Sequence, residues 1–394
     1  MSIRHWLQLA LTDGIGPILI CRLIEAAGGA EAACAADPSL LRAVEGIGAA
    51  KAAKIAASLR AAAALVPVEI DRVGAIGASL LCPEDEQYPM LLRSIPDPPP
   101  VLYVKGMLEP RDLHAVAIVG SRKCSYYGRE QAERFAALMA GAGLTIVSGG
   151  ARGVDSSAHR GAMSHPQGRT VAVLGSGIDV PYPPENGSLF EQIAGGRGAV
   201  ISEYPLGTAP LKENFPRRNR IVSGMSRAVL VVEADEKSGA LITARQAGDD
   251  HGRTVLALPG RVDNPLSAGP HQLIRDGAVL VTKLDDVLEA LGPLPQGAVE
   301  DRTLFAPQES EANSAPPPAA PQAAERDVVD LTDRQRKIVA QLDGQPVSAD
   351  TIIERTGLSA SEVFQELTLL TLKGVVSRVE GQTFMLRRRR DGGG

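Results

Sequence analysis

The sequence predicts an α/β protein built around a Rossmann-like, doubly wound and mostly parallel sheet, with a helical region before it and a winged helix after it. Between residues 115 and 291, short apolar stretches alternate with helical patterns. Such alternation is typical of βαβ units, which pair their strands in parallel through right-handed crossovers. Residues 1–65 are rich in alanine and follow helical periodicity, whereas the last part combines three helical patterns with a short hairpin.

Changes in composition divide the 394 residues into five segments. We predict a helical SAM-like or helix-hairpin-helix-like domain at 1–65, a proline-containing connector at 66–114, the Rossmann-like domain at 115–291, a Pro/Ala-rich linker at 292–327 and a winged-helix domain at 328–388. The linker composition, with Pro316-Pro317-Pro318 among Ala, Gln, Ser and Glu, cannot bury a core.

Two glycine turns mark the first segment. Gly14-Ile15-Gly16 and Gly46-Ile47-Gly48 each precede an apolar-periodic helical stretch. This pattern is typical of a hairpin that joins two helices and lets backbone amides approach a phosphate. It is equally typical of a small helical module whose tight turns need glycine, and both interpretations stay open.

The central segment contains seven predicted strands: Ala115–Val119, Leu144–Val147, Thr170–Leu174, Ala199–Ser202, Ala228–Glu233, Thr254–Leu258 and Ala278–Val281. Helical stretches such as Arg129–Ala140 and Thr243–Asp250 separate most of them. In an open parallel sheet, ligands bind beyond the carboxyl ends of the strands, close to a switch in strand order. The loops that follow these strands are therefore the places to look for binding residues.

The last segment predicts helices at Asp333–Leu342, Ala349–Thr356 and Ser361–Lys373, followed by strands at Val375–Val379 and Thr383–Leu386. Three helices and a hairpin are typical of a winged helix-turn-helix, with Ser361–Lys373 in the position of the recognition helix. That helix contains Glu362 and Glu366 and only one cation, which is unfavourable for reading a DNA groove. Three roles stay open for this domain: DNA contact, protein contact or stabilisation of a dimer.

Bulk composition excludes several kinds of site. The net charge of −5 neither supports nor excludes nucleic acid, because a local basic patch is compatible with it. Aromatic residues make up only 3% of the chain, which argues against a base-stacking platform such as that of an OB-fold. The four scattered cysteines exclude a disulfide framework and a zinc site and favour a reducing cytosol. No apolar run reaches the roughly 18 residues of a membrane span, so we expect a cytoplasmic protein without membrane contact, metal or cofactor.

Two loops that follow predicted strands have the composition of a phosphate site. The first strand leads into Gly120-Ser121-Arg122-Lys123, and the second into Ser148-Gly149-Gly150-Ala151-Arg152-Gly153-Val154-Asp155. Each loop offers small residues with accessible N–H groups, a hydroxyl, a cation and a helix start, which together suit a phosphate oxygen. Neither matches GxxxxGK[ST], and Gly175-Ser176-Gly177 lacks the third glycine of a dinucleotide fingerprint. A phosphate site without a cofactor fingerprint favours the backbone of a polynucleotide.

Two further segments complete the candidate site. Phe215-Pro216-Arg217-Arg218-Asn219-Arg220 places three arginines next to an aromatic residue. Arginine forks bind phosphates in a bidentate manner and stack on bases, and the neighbouring Phe215 and Pro216 disfavour a merely solvated basic face. Ser238-Gly239-Ala240-Leu241-Ile242-Thr243-Ala244 again leads a glycine turn into a helix and is placed to complete the rim of the same crevice.

In this order, the four motifs resemble the core of the DNA-processing protein A (DprA/Smf) family. Other stretches that fit the same family are Thr170–Asp179 with Tyr182-Pro183, and Gly269-Pro270 with Leu273-Ile274 and Gly277-Ala278. The resemblance covers residues 110–285 strongly and the flanking domains more loosely. Two positions depart from the family: Cys124 stands where proline is common, and Gly150 replaces a commoner apolar residue. Both changes keep small residues beside the loops.

The resemblance implies an ATP-independent protein that binds single-stranded DNA, acts as a homodimer and loads the RecA recombinase during natural transformation. It places basic DNA contacts at Arg122 and Arg169, and we place the dimer interface near Leu273 and Ile274. The predicted DNA-binding residues are Gly120, Ser121, Arg122, Ser148, Gly149, Gly150, Ala151, Arg152, Gly153, Arg169, Phe215, Arg217, Arg218, Asn219, Arg220, Ser238 and Gly239.

An enzyme is the main alternative. Asp155, Ser156 and His159 lie together at a predicted helix start, and proteins with a comparable fold include phosphoribohydrolases that act on nucleotides. Those enzymes rely on a PGGxGT loop, for which this chain has SGGARGVD, and Asp155 is equally suited to cap the helix. We therefore predict no catalytic residues, with a nucleotide-binding enzyme and a winged-helix regulator as the alternatives.

Overall fold

The structure, a computed structural model, describes residues 2–292 without a gap and, further on, the ranges 332–342, 347–356, 358–359, 375–378 and 383–386 with residues 363, 366, 367 and 370. The chain forms two compact units, Met1–Gln308 and Glu309–Gly394, which are described separately. Apart from its first residue, the predicted linker 292–327 lies outside the described residues.

The first unit begins with five helices that pack around one apolar core. They are α1 (Ser2–Ala10), α2 (Pro17–Ala27), α3 (Ala30–Cys34), α4 (Pro38–Ala43) and α5 (Ala49–Ala75). Leu7, Leu23 and Ile55 are fully buried between them. The turns before α2 and α5 each contain a glycine with positive φ, Gly14 at 89° and Gly46 at 93°, a conformation that favours glycine. The predicted N-terminal helical region is confirmed.

Helix α5 runs past the boundary that composition places at residue 65. The alanine-rich turns continue the helix, and Pro67 is accommodated inside it. The segment predicted as a connector then contributes two strands, β1 (Ala78–Leu81) and β2 (Leu102–Gly106). The prolines that indicate a connector, 96 and 98–100, lie between these short strands and not within them.

Seven further strands complete one nine-stranded sheet. They are β3 (Ala115–Val119), β4 (Thr145–Ser148), β5 (Thr170–Val173), β6 (Gly198–Ser202), β7 (Ala228–Val231), β8 (Thr254–Ala257) and β9 (Val279–Leu280). The strand order is β1-β2-β6-β5-β4-β3-β7-β8-β9. Strands β3 to β9 pair in parallel, whereas β2 pairs antiparallel with both β1 and β6. The seven predicted strands and the mostly parallel, Rossmann-like sheet are confirmed.

Helices cover both faces of the sheet. They are α6 (Met90–Arg93), α7 (Tyr126–Gly141), α8 (Val154–Ser164), α9 (Gly187–Gln192), α10 (Asn214–Gly224), α11 (Gly239–Arg245), α12 (Ala268–Arg275) and α13 (Leu284–Leu291). Phe135 and Met139 of α7 are buried on one face, and Ile221 and Val222 of α10 on the other. Burial on both faces is characteristic of parallel sheets, and it explains why the strand patterns are continuously apolar.

The strand order reverses at β3. From β3 the chain proceeds through β4, β5 and β6 on one side, and it then returns to add β7, β8 and β9 on the other. The connections that follow β3 and β7 therefore diverge at a topological switch, which is where open α/β sheets bind ligands.

The second unit contains α14 (Asp333–Val339), β10 (Val347–Ser348), α15 (Ala349–Thr356), β11 (Val376–Arg378) and β12 (Thr383–Leu386). Its strands pair antiparallel in the order β10-β12-β11. Ile338, Ile352 and Phe384 are buried in its core. Of the predicted recognition helix Ser361–Lys373, the structure describes only residues 363, 366, 367 and 370, so its remaining positions lie outside the described residues.

Three findings bear on the compositional expectations. None of the helices in the described part of the chain is long and apolar enough to traverse a bilayer. All four cysteines are free thiols. Across the described ranges, His, Cys, Asp and Glu side chains form no group that could hold a metal ion.

Candidate nucleic-acid interface

A cleft of about 810 Å³ opens at the carboxyl edge of the sheet, at the switch between β3 and β7. Its walls come from the loops after β3 and β4 and from the first turns of α10 and α11. The predicted site residues that line it are Gly120, Ser121, Arg122, Gly149, Ala151, Phe215, Arg218, Asn219, Ser238 and Gly239. The fold thus brings four motifs that are distant in sequence to one crevice.

The loop after β3 is held in place by the end of β7. The Ser121 N–H donates to the Glu233 carbonyl (2.6 Å). The buried Glu233 carboxylate accepts from the N–H (2.8 Å) and the hydroxyl (2.6 Å) of Ser125, which also caps α7. These contacts hold the backbone on both sides of Arg122, whose side chain is exposed and lines the cleft.

The loop after β4 is closed by its own carboxylate. Its last residue, Gly153, has a φ of 76°, and a Cβ there would lie 2.4 Å from a carbonyl of the loop after β3, so the close contact of the two loops requires glycine. The buried Asp155 accepts hydrogen bonds from the backbone N–H groups of Ala151 (3.3 Å) and Gly149, and burial raises its pKa. These two amides, predicted to face a phosphate, are therefore occupied within the protein. What the loop presents to a ligand is the exposed Arg152 side chain.

Arg218 forms part of the cleft floor. It is buried, and its guanidinium donates to the carbonyls of Gly149 and Val173. Burial lowers its pKa to about 10, so it remains charged at neutral pH beside Asp155. Arg218 thus supplies positive charge beneath the cleft while its donors hold the protein backbone.

Two arginines and two aromatic rings stack across the rim of the cleft. The Arg122 guanidinium carbon lies 5.0 Å from the Phe215 ring centroid, and the Phe215 and Tyr182 rings are 5.6 Å apart at 45°. At the far end, the Arg152 guanidinium carbon lies 5.9 Å from the Tyr182 centroid. The two arginine–ring contacts are favourable as cation–π interactions, and the contact between the rings is favourable as a tilted aromatic pair. We call Arg122, Phe215, Tyr182 and Arg152 the stacked array.

Glycine makes the stacked array possible, because a Cβ at Gly175 would lie 2.9 Å from the Phe215 ring. Two of the few aromatic residues of a chain with 3% aromatics thus lie side by side in the array. Composition averages over the whole chain, whereas the fold places rings from two separate segments side by side.

Among the cleft residues absent from the predicted set are two cations and one aromatic residue, namely Lys123, Lys212 and Tyr182. Each carried a signal in the sequence. Lys123 directly follows Arg122, Lys212 precedes Phe215 by about one helical turn, and Tyr182 belongs to the Tyr-Pro motif of the family resemblance. With Arg122, the two lysines give the cleft three exposed cations.

Arg169 is placed in a way that is incompatible with its predicted DNA contact. It stands at the amino end of β5, at the opposite edge of the sheet from the cleft, and only 4% of its side chain is exposed. Its Nε donates to Asp112 Oδ1 (2.6 Å) and its Nη1 to Glu109 Oε1 (3.0 Å). A residue that precedes a strand lies away from the edge where ligands bind, and here it neutralises two carboxylates.

Arg220 and Ser148, both predicted to bind DNA, also lie outside the cleft lining. Arg220 is buried, is not among the residues that line the cleft, and pairs with Asp97 (3.0 Å) and Glu203. The buried Ser148 hydroxyl donates to a β3 carbonyl inside the sheet (2.6 Å). Of the three arginines at the start of α10, only Arg217 is exposed.

The remaining predicted residues hold the walls together. The Asn219 side chain donates to the Gly239 carbonyl (3.3 Å), which joins α10 to α11. The Ser238 hydroxyl accepts from the backbone of the first turn of α11 (3.4 Å). The buried Gly150 carbonyl accepts from Asn186 (2.9 Å), which anchors the loop after β4 to the segment that follows Tyr182.

The residues considered for catalysis do not form a nucleophile–base pair. His159 is buried, its Nδ1 lies 2.7 Å from Thr170 Oγ1, and burial lowers its pKa to about 3. The Ser156 hydroxyl donates to the Gly153 carbonyl (3.1 Å). Asp155 accepts from the glycine loop, so each of the three has a separate partner inside the protein.

Comparison with known proteins gives consistent matches over most of the chain. Residues 79–292 match the family model described as DNA recombination-mediator protein A, and residues 313–382 match the DprA winged helix domain. The chain is 36% identical to Protein Smf of Synechocystis, over 97% of this chain and 98% of that protein. It is 37% identical to Protein Smf of Escherichia coli over 78% of each chain. The X-ray structure of DNA processing protein A from Streptococcus pneumoniae superposes with a TM-score of 0.64 at 34% identity, covering 73% of this chain and 98% of that one.

Proposed function

The chain belongs to the DNA-processing protein A (DprA/Smf) family, and on that premise we propose that it binds single-stranded DNA in the cleft at the β3/β7 switch. The observation that carries the proposal is the stacked array, which places two neighbouring aromatic rings between two cations along the rim of the cleft. A nucleic-acid strand offers planar bases that stack on aromatic rings and phosphates that pair with cations, so the array has groups suited to both.

The array favours a single strand over a duplex. In a duplex the base faces are stacked on one another and only the base edges are accessible. In a single strand the faces are free to stack on Phe215 or Tyr182, in place of or beside the arginines that now cover them. Stacking and phosphate contacts carry little sequence information, so the proposed binding is tolerant of sequence.

The phosphates are proposed to contact the exposed cations, Arg122, Lys123 and Lys212, with Arg152 at the far end of the array. Arg218 contributes charge from below. Arg169 and Arg220 are assigned to protein stability, because their guanidinium groups are buried against carboxylates.

We propose that the chain retains DNA without turning it over, needs no cofactor, and acts in the cytoplasm during DNA uptake. In that role it protects incoming single strands and loads RecA, a function assigned here from family membership. Incubation with nucleoside monophosphates tests the enzyme alternative, since release of free base would replace this proposal with a phosphoribohydrolase.

A homodimer is part of the proposal. Edge strand β9 exposes the apolar residues Val279 and Leu280. A cavity of about 410 Å³ beside it is lined by Leu273 of α12. An open strand edge with exposed apolar residues is suited to pairing with a second chain. Light scattering should give twice the chain mass, and a Leu273→Glu variant should be monomeric.

The deciding experiment is a titration of one oligo(dT) and one duplex of equal length, followed by fluorescence anisotropy at several salt concentrations. We expect tighter binding of the single strand and a log–log salt slope of about −2, from about −0.7 for each of three neutralised phosphates. Equal affinity for the duplex, or binding that does not respond to salt, would contradict the assignment of the cleft.

A further inference from the structure

Glu69 is a buried carboxylate in α5, remote in sequence from the cleft. Only 5% of the residue is exposed. Its Oε1 accepts from the Leu206 N–H (2.8 Å), and its Oε2 accepts from Arg72 (3.0 Å) on the next turn of the same helix. The N-terminal helical region thus holds a backbone amide of the loop that follows β6.

That amide belongs to a turn over residues 205–208. A second carboxylate also accepts a hydrogen bond from this turn. Asp179, in the segment after β5, accepts from the Gly207 N–H (2.8 Å), the amide next to that of Leu206. The same segment donates from the Gly177 N–H to the Thr208 carbonyl (2.9 Å). Arg72 links the two carboxylates, with its Nη2 3.9 Å from Asp179.

The two segments that meet at the 205–208 turn carry both rings of the stacked array. The segment after β5 contains Gly175, which underlies Phe215, and ends at Tyr182. The segment after β6 leads from the turn through Lys212 to Phe215 at the start of α10. The position of the turn therefore constrains the backbone segments that carry the Tyr182 and Phe215 rings.

A carboxylate is energetically unfavourable at a buried position of a helix. Removing its charge from water is unfavourable unless partners compensate, and an apolar side chain of similar size is often neutral or stabilising at such a site. Glu69 accepts from Arg72 of its own helix and from the Leu206 amide, and it also interacts with the Tyr103 side chain of β2. Of these three groups, only the Leu206 amide belongs to a segment that leads to the cleft. The specific contribution of Glu69 is therefore the position of the 205–208 turn.

We infer that Glu69 is a positioning residue for DNA binding, which acts through the 205–208 turn on the placement of Tyr182 and Phe215. The inference rests on the proposed function of the cleft. The N-terminal helical region then contributes to the DNA site, since α5 supplies the carboxylate that sets the placement of the two stacking rings.

The test compares full-length variants by stacking and by phosphate contact separately. Quenching of an oligonucleotide that contains 2-aminopurine reports stacking on the rings, and the salt slope of oligo(dT) binding reports phosphate contacts. Glu69→Leu should reduce the quenching and weaken affinity about fivefold, the size of one weakened base stack, with an unchanged salt slope. Glu69→Gln keeps an oxygen that accepts from the Leu206 amide and should restore both readouts. Asp71→Ala, which removes an exposed carboxylate two positions further along α5, is the matched control and should match the parent.

Parental quenching and affinity in Glu69→Leu would overturn the inference while leaving the proposed function intact. Absence of single-strand binding in the parent chain would instead remove the proposed function. If Glu69→Leu does not fold, as judged by circular dichroism, Asp179→Ala and Asp179→Asn provide the same comparison from the other side of the turn. The inference then requires loss of quenching in the first and recovery in the second, and it fails if the two behave alike.

Discussion

Four of the predicted site arginines fall into two groups that the sequence does not separate. Arg122 and Arg152 lie exposed at the cleft rim, where each guanidinium covers an aromatic ring. Arg169 and Arg220 are buried, and each is held by two carboxylates. The difference shows that an arginine beside a glycine loop or a helix start serves either a ligand or the fold, according to which carboxylates the tertiary structure brings to it.

The largest expected effect comes from the buried group. Arg169→Ala leaves Asp112 buried without its cation, and removing one partner of a buried ion pair typically costs about 3–5 kcal/mol of unfolding free energy. Urea unfolding measures this loss. Binding of oligo(dT) by the folded fraction should equal that of the parent, because Arg169 lies at the opposite edge of the sheet from the cleft. Arg160→Ala, an exposed arginine on α8, serves as the control and should change stability by less than about 0.5 kcal/mol. A folded Arg169→Ala protein with weakened DNA binding would break the comparison.

Substitution of an exposed arginine at the cleft rim should weaken DNA binding and leave stability nearly unchanged. Arg122→Ala is expected to weaken oligo(dT) binding by about 1–2 kcal/mol, because it removes a phosphate partner and a cation that stacks on Phe215. The salt slope should become shallower by about 0.7. The midpoint of thermal unfolding should stay close to that of the parent. Combining Arg122→Ala with Arg169→Ala should add no further loss of affinity, and an additional loss would return Arg169 to the DNA site.

Acidification should affect the buried His159 and the cleft differently. Burial holds the pKa of His159 at about 3, below the usual 6.5, so the unfolded chain binds the proton more readily. This contribution to stability is therefore present above pH 6.5 and is lost as the pH falls from there toward 3. Between pH 7 and 5.5 the unfolding free energy should fall by about 1 kcal/mol more in the parent than in His159→Gln. No histidine lines the cleft in the described chain, so affinity for oligo(dT) should change little over the same range. Equal pH dependence of the two proteins' stability would rule out the assignment to His159.

The smallest expected effect concerns a partner of the exposed group. Glu185 pairs with Arg152, and this ion pair holds the pKa of the carboxyl below its usual range. Glu185→Gln frees Arg152 for a phosphate and should tighten oligo(dT) binding about twofold at low salt, with the gain vanishing at high salt. Glu191→Gln, which releases Lys105 outside the cleft lining, is the matched control and should leave affinity unchanged. Weaker binding by Glu185→Gln would show that the pair holds Arg152 in its binding position.

Local sequence patterns predict much of the fold, because they are sufficient to identify the parallel strands of this sheet. The strands β3 to β9 are continuous apolar runs between helical patterns, whereas β1 and β2 flank a proline-rich turn and join the sheet antiparallel. The order of the glycine loops likewise predicts which segments converge at the cleft. Side-chain roles are different, because they depend on partners from distant parts of the chain. Arg169 meets Asp112 at a separation of 57 residues, and nothing in the sequence around Arg169 announces that carboxylate.

The stacked array also has a consequence for the entropy of binding. Its four side chains contact one another within the folded protein, and Gly175 leaves the space that the Phe215 ring occupies. Immobilising a mobile side chain at an interface costs about 0.5–1.5 kcal/mol, and such a cost is largely incurred here when the protein folds. A strand that arrives therefore meets ordered rings and guanidinium groups, and the conformational freedom lost on association is mostly that of the DNA.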